Sequence, residues 1–435
     1  MQRVAVFTPD VVGPSIAGPA IRYTELARAL AKHFEVELLA AVGSVAPAGV
    51  ALAERPKTDG ELAAHLSDFD AVFAQLLPAA TIRRLARSRV PVVYDLYNPY
   101  LAEPLAQLDT QPTPGGELFV RTTLLAQRLA LRTGSAFVCA SDRQRDVWLG
   151  VLATLGRIDL AEYAGDPTLR RLIDVVPFGL PAEPPTGSGR AAKGVIAGIA
   201  EDDELLLWGG GIWNWLDPLT PIRAVANLAL RRERVKLLFL GQRHPDPAFP
   251  ETAMTQRALD LSRELGVHGR HVFFNEGWVP YDERAGFLLE ADAGISAHFD
   301  ILETRYAFRT RILDYLWASL PTITTSGDVL GELVEERRLG RAVPPGDVGA
   351  WEEAIERILD APPPASSFED VRRELSWDRV AEPLARIVEA AREPPPAPAA
   401  VRVSAGQELW LRGRTSVALG GAFRRQLAKA IGRTA

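Results

Sequence analysis

Short unbroken apolar runs alternate along this chain with longer stretches in which apolar residues recur at helical spacing. Val4–Phe7 is the first run. It predicts a strand, followed by a glycine-bearing loop over residues 13–19 and a helix over 20–32 with Ile21, Leu26, Ala29 and Leu30 turned inward. Val36–Ala40, Ala71–Ala74, Val90–Tyr94 and Ala136–Cys139 repeat the strand pattern with helical segments between them. Strands that are apolar throughout, separated by helices, belong to a parallel sheet covered on both faces. From residue 175 to 189 the chain becomes dense in Pro and Gly and reads as an interdomain linker. The pattern then restarts: Glu204–Trp208, Val235–Leu240, Val272–Asn275 and Ala293–Ala297 are expected strands, with helices over 219–231 and 282–290. Asp217-Pro218 has the form of an N-cap followed by a first-turn proline.

The most informative stretch is His298–Ser326. A loop and helix start carry Glu303, Arg309, Arg311 and Asp314, and Ile312, Leu313, Leu316 and Leu320 follow at helical spacing. Pro321 ends that helix, and Thr322–Thr325 reads as a β-branched strand. A helix start offers free N–H groups and the positive end of a dipole, so the stretch suits an anion. Arginines there add bidentate donors for phosphate. A solvated charged helix end is the plainer alternative.

Two other features mark the carboxyl ends of strands, where ligands bind in open α/β sheets. Gly209, Gly210 and Gly211 follow a strand directly and clear side chains from a place where backbone meets a ligand. Trp213 and Trp215 come next and read as cover for the cleft, with stacking on a ligand as the alternative. Trp278 and Val279, after another strand, suit a nucleobase, with core packing the alternative for Trp278. In the first half, Asp95, Tyr97 and Asn98 lie at the carboxyl end of a strand, with a buried Asp capping its own loop as the alternative for Asp95. The residue 13–19 loop is not GxGxxG, which argues against a nicotinamide site.

Length then sets the number of domains: 435 residues exceed one ordinary core. Lys and Arg number 49 against 55 Asp and Glu, a net charge of −6 that disfavours a general nucleic-acid surface. The single cysteine, Cys139, lies in an apolar strand and reads as a packed thiol in a reducing compartment. No segment has the length of a membrane span and the N-terminus lacks a signal-peptide pattern, so a cytoplasmic protein is expected. After the Pro-rich break at 394–398 come seven basic residues and one acid, interleaved with Leu, Trp and Phe. That tail could lie peripherally on an anionic membrane face or pack on the acidic body.

Leu206-Leu-Trp-Gly-Gly-Gly211, Val272-Phe-Phe-Asn-Glu-Gly-Trp-Val279 and above all Asp314-Tyr-Leu-Trp-Ala-Ser-Leu-Pro321 resemble the retaining family-4 (group 1) glycosyltransferases. Gly18-Pro-Ala-Ile-Arg22 is similar to that family's first glycine-rich loop, and Gly340–Asp347 to the loop before its late helix. The resemblance implies the GT-B fold, two Rossmann-like domains facing a cleft. It divides the chain into an acceptor-side domain (1–178), a linker (179–200), a donor-side domain (201–373), a helix crossing back (374–392) and a basic tail (393–435). It implies transfer from a nucleotide diphosphate sugar to a hydroxyl-bearing acceptor with retention, and assigns Asp314 to the donor ribose.

The departures are specific. The family's two acids stand eight positions apart, but Tyr306 holds the earlier position and Glu303 lies three residues before it. Arg309 and Arg311 occupy the family's glycine and proline positions, while the basic pair expected after β-strand 204–208 is missing. The two arginines are therefore expected to neutralise the diphosphate in its place, beside the glycine loop, Phe308 and Thr310. Asp95, Glu303, Arg309 and Arg311 are the candidate catalytic residues; Gly18, Arg22 and Asn98 are candidates for the acceptor or phosphate loop. No metal and no cofactor beyond the nucleotide sugar are expected, and the acceptor is not legible. A GT-B enzyme of other chemistry, such as an epimerase or cyclitol-coupling enzyme, and a silent nucleotide-sugar-binding subunit remain alternatives.

Overall fold

The computed structural model describes residues 1–13, 18–98, 105, 114–187, 190–242, 251–277, 279–280 and 283–391. Trp278, most of the residue 13–19 loop and the tail from 393 fall outside the described residues.

Seven described strands form the first sheet: β1 (Arg3–Phe7), β2 (Glu35–Ala40), β3 (Ala51–Glu54), β4 (Ala71–Ala74), β5 (Val92–Asp95), β6 (Ala136–Cys139) and β7 (Ile173–Val175). They are parallel, in the order β3-β2-β1-β4-β5-β6-β7. The second sheet contains β8 (Glu204–Gly211), β9 (Val235–Gly241), β10 (Val272–Phe274), β11 (Ala293–Ser296), β12 (Thr322–Thr325) and β13 (Gly340–Val343). It is also parallel, in the order β10-β9-β8-β11-β12-β13. In each sheet the strand order reverses beside the first strand, at β1/β4 and at β8/β11. A crevice opens at the carboxyl ends there, because the flanking connections depart to opposite faces.

Central strands and the edge strand β10 matched the apolar runs; the edges β3, β7 and β13 did not. β3 is half exposed with no buried position, and β13 opens with Gly and Arg, so neither carries an apolar signature. Pairing supplies what their side chains lack: β13 is held residue by residue against β12, from Thr322↔Gly340 to Thr325↔Val343. β7, Ile173–Val175, pairs with β6 and ends as the Pro-rich stretch begins.

The helix Trp377–Ala390 returns to the first domain. Trp377, Leu384 and Val388 share one buried apolar cluster with Tyr23, Leu26 and Leu30 of the helix Gly18–Leu30. Ile312, Leu313 and Leu316 of the helix Thr310–Trp317 join the same cluster. The helix bearing the charged stretch is thus packed by an apolar face shared between the two domains. No helix of the described residues is long and apolar enough to cross a membrane.

Candidate functional site

A cavity of about 500 Å³ lies between the domains. Gly18, Tyr97 and Asn98 line it from the first domain; Gly209–Gly211, Val279, Glu303, Arg309, Arg311 and Asp314 line it from the second. Its size falls within the range of small-molecule sites.

The glycine loop is shaped by its neighbours. Gly210 has φ +85, a left-handed conformation that a side chain resists, and a bulge separates Trp208 from Gly211 in the pairing of β8 with β9. A Cβ on Gly209 would stand 3.3 Å from the ring of Tyr315. That tyrosine is buried, and its hydroxyl accepts from the N–H of Gly209 at 2.8 Å. It lies 2.8 Å from the Ile295 carbonyl and 3.0 Å from that of Leu207, to which it can donate in turn. Burial pushes its phenol up to about 12, so it remains a donor. One side chain therefore joins the helix Thr310–Trp317 to β8, its glycine loop and β11. The pattern of apolar residues could not show this, because the partners lie 20 and 106 residues away.

Arg311 and Asp314 are three residues apart and so share a helix face, which is the face lining the cavity. Arg311 donates through Nη2 to the carbonyl of Gly211 at 2.8 Å and lies over the Trp208 ring, 4.6 Å from its centroid. Its Nη1 is enclosed without a hydrogen-bond partner, and no carboxylate of the described residues pairs with it. Burial lowers its guanidinium to about 10, still charged at neutral pH. Asp314 accepts from Arg284 Nε at 3.1 Å, and burial raises its pKa while Arg284 opposes the rise. Arg284 itself lies over the Trp317 ring at 4.8 Å, which fixes the direction from which it reaches Asp314.

Arg309 differs from Arg311. Glu303 takes both its terminal nitrogens, at 2.9 and 2.6 Å, and both side chains are buried. Asp328 stands behind, 3.8 Å from Nε. The expectation that both arginines meet a diphosphate is thus corrected for Arg309, whose charge is already answered within the protein. Glu303 likewise faces the cavity with its carboxylate engaged. The signal for this pairing, an acid six residues before an arginine, was in the sequence but spanned two helices.

Asp95 and Arg22 are also corrected. Both are fully buried and neither lines the cavity. Arg22 grips Asp95 at 2.6 and 3.1 Å and donates to the carbonyls of Val176 and Pro177, each at 2.9 Å. Tyr23 and the N–H of Tyr97 also donate to Asp95. Arg22 lies 4.7 Å under the ring of Tyr97, which does face the cavity. The pair supports the cavity wall from behind. Gly18 stands close to Thr310, a Cβ there meeting its Oγ1 at 3.9 Å, so the two domains approach at the helix start. Phe308, Thr310, Asn98 and Val279 line the cavity.

Gln144 was not anticipated. Its amide donates to the carbonyl of Tyr97 at 2.8 Å and across the cleft to that of Tyr306 at 2.7 Å. Trp213 and Trp215 line the cavity and stack on each other. Among the described residues no group of three or more His, Cys, Asp or Glu is arranged to hold a metal.

Residues 204–361 match the family model Glycosyl transferases group 1. No curated protein matches the chain by sequence. Among solved structures, sucrose-phosphate synthase from Thermosynechococcus elongatus is 15% identical, covering 99% of this chain and 100% of that one with a TM-score of 0.55. Anabaena HepE in complex with UDP-glucose is 13% identical, covering 90% and 100% with a TM-score of 0.60. WaaG, a glycosyltransferase involved in lipopolysaccharide biosynthesis, is 17% identical, covering 88% and 99% with a TM-score of 0.60. At these identities the likeness establishes the fold: the chain has the GT-B architecture, two Rossmann-like domains about a cleft.

Proposed function

From a second domain that matches the group 1 glycosyl transferases, we propose that this chain moves a sugar from a nucleotide diphosphate sugar to a hydroxyl-bearing acceptor, with retention. The observation that carries this reading is Arg311, a charged guanidinium on the cavity lining that no carboxylate of the described residues pairs with. Arg284 and Arg309, by contrast, face Asp314 and Glu303. An uncompensated cation beside a glycine loop and a helix start calls for an anion, and a diphosphate has the matching shape and charge.

In this reading the diphosphate rests on Arg311, the N–H groups of the Gly209–Gly211 loop and the start of the helix Thr310–Trp317. As the glycosidic bond breaks, negative charge grows on the departing nucleotide diphosphate. Donors already in place stabilise that charge without reorganising, each commonly worth about 3 kcal/mol of barrier. Asp314, oriented by Arg284, keeps oxygen lone pairs for the two ribose hydroxyls. Its place three residues from Arg311 on one helix face sets ribose and diphosphate at neighbouring positions. The acceptor enters from the side of Gly18, Tyr97 and Asn98. Charge neutralisation by side chain and backbone makes the proposed transfer independent of a metal ion. HepE was solved with UDP-glucose, which makes uridine nucleotides the first donors to test.

Calorimetry with UDP, GDP, ADP and dTDP and their common sugars tests the donor site. The expectation is that one pair binds and that Asp314→Ala weakens it at least tenfold. Unchanged affinity in that variant removes Asp314 from the site. Incubating the binding donor with a panel of acceptors, followed by mass analysis, separates sugar transfer from epimerisation and from binding without turnover. Loss of transfer on adding EDTA overturns metal independence.

A further inference from the structure

The loop after β8 presents two tryptophans to the cavity, Trp213 and Trp215, both half-buried. Their ring centroids are 5.5 Å apart and their planes differ by 5°. The loop that carries them is fixed along its length. The N–H of Leu216 donates to the carbonyl of Trp213 at 3.0 Å, and Asn214 Oδ1 accepts from the N–H of Met254 at 3.2 Å. Leu216 bridges His298, and the N–H of Asp217 donates to the carbonyl of Ala297 at 3.0 Å. At the other end the Trp213 ring packs close to Gly211, where a Cβ would meet Nε1 at 3.4 Å. The stacked pair therefore stands on a loop whose backbone is held at several points, with each ring braced by the other.

Its place along the cavity indicates its occupant. Asp314 lies one helical turn beyond Arg311, on the side away from the helix start. Arg311 is bonded to Gly211, and the tryptophans follow Gly211 in the chain, beside the strand end that leads to Glu303. A diphosphate held by Arg311 has a nucleoside attached at one end and a sugar at the other. With the ribose on Asp314, the sugar falls toward Trp213 and Trp215. We propose that this pair binds the transferred sugar of the donor, the apolar C–H face of a pyranose lying against the indole surface. The proposal rests on reading the cavity as a nucleotide diphosphate sugar site. The chemistry is that of a flat polarisable surface against ring C–H groups, which leaves the sugar's hydroxyls at its rim. Because the rings brace each other, little side-chain freedom is lost when the sugar settles.

Paired titrations test it, each comparing a nucleotide diphosphate with its own sugar: UDP with UDP-glucose, GDP with GDP-mannose, ADP with ADP-glucose and dTDP with dTDP-glucose. For the pair that binds the full chain, Trp215→Ala should weaken the sugar nucleotide about tenfold and leave the bare nucleotide within twofold. Trp215→Phe should keep the sugar nucleotide within threefold, since it restores an aromatic face. The stacked indoles also give an exciton couplet in circular dichroism, which the sugar nucleotide should perturb and the bare nucleotide should not. Equal weakening of both ligands, or of neither, overturns the proposal while leaving the donor site standing. If no pair binds the unmodified chain, the donor reading fails and this inference falls with it.

Discussion

Glu303 holds Arg309 through both carboxylate oxygens, at 2.9 and 2.6 Å, in a largely buried pair at the edge of the cavity. Such a pair contributes little net stability while intact, because desolvation offsets attraction, but breaking it strands a charge. Glu303→Ala should therefore lower stability by about 3–5 kcal/mol. Replacing both partners, Glu303→Leu with Arg309→Met, should recover most of that loss. Urea unfolding of the three proteins measures it; a single variant as stable as the parent would show that the pair is open in solution.

Arg311 should behave in the opposite sense. Its charge is partly buried and no carboxylate of the described residues pairs with it, so removing it relieves desolvation. Arg311→Met should unfold at the same temperature as the parent or higher. The same variant should bind the nucleotide diphosphate about 10–100-fold more weakly, the cost of losing a charged hydrogen bond of about 1.5–3 kcal/mol. Thermal unfolding and calorimetry on one preparation give both values. A variant that loses stability but keeps its affinity would place Arg311 in the framework instead of the site.

Tyr315 connects the helix of Arg311 and Asp314 to the Gly209 N–H and two strand carbonyls. Tyr315→Phe keeps the ring that fills the space over Gly294 and Gly209 but leaves buried backbone groups without a partner. The expected cost is about 1–3 kcal/mol of stability. Donor affinity should fall as well, because the glycine loop loses its anchor. Hydrogen exchange at Gly209 reads the local effect directly, and unchanged protection there would count against the anchoring role.

The buried His298 and Asp328 set a pH dependence of opposing signs. Burial, aided by Arg309, lowers His298 from 6.5 to about 3, so the unfolded chain takes a proton that the folded one refuses. Stability from this group is lost as pH falls from about 6.5 toward 3. Burial raises Asp328 from 3.8 to about 6, against the pull of Arg309, so the folded chain takes a proton first. This group's contribution is lost as pH rises from about 4 to about 6. The two offset each other within that window, and the wild type should show a flat profile there. His298→Asn removes the first effect, so the variant should gain stability relative to wild type as pH falls from 7 to 5. Parallel melting curves for the two proteins across that range would rule out a neutral, buried His298.

How far the sequence reached is clearest at the central strands and the helix Thr310–Trp317. Leu205–Trp208, Val235–Leu240 and Ala293–Ala297 are apolar because both faces of a parallel sheet are covered, and that requirement is written locally. The spacing of Arg311 and Asp314 on one helix face is local too. The edge strands β3 and β13 were not legible, since their neighbours hold them and their own side chains do not.

By itself, then, the sequence determined that there are two parallel-sheet domains and which charged residues follow the carboxyl ends of their strands. Tertiary structure alone decided how those charges divide. Arg309 meets Glu303, Arg22 meets Asp95, and Arg311 meets a carbonyl, an indole and the cavity. The physical reason is that a charge's role depends on what shares its low-dielectric surroundings, and those partners come from segments that lie side by side only when folded. Arg309 and Arg311 have the same chemistry and nearly the same address in the chain, and both line the cavity; Glu303 and Asp328 stand around Arg309, and no carboxylate of the described residues pairs with Arg311, which makes them different groups.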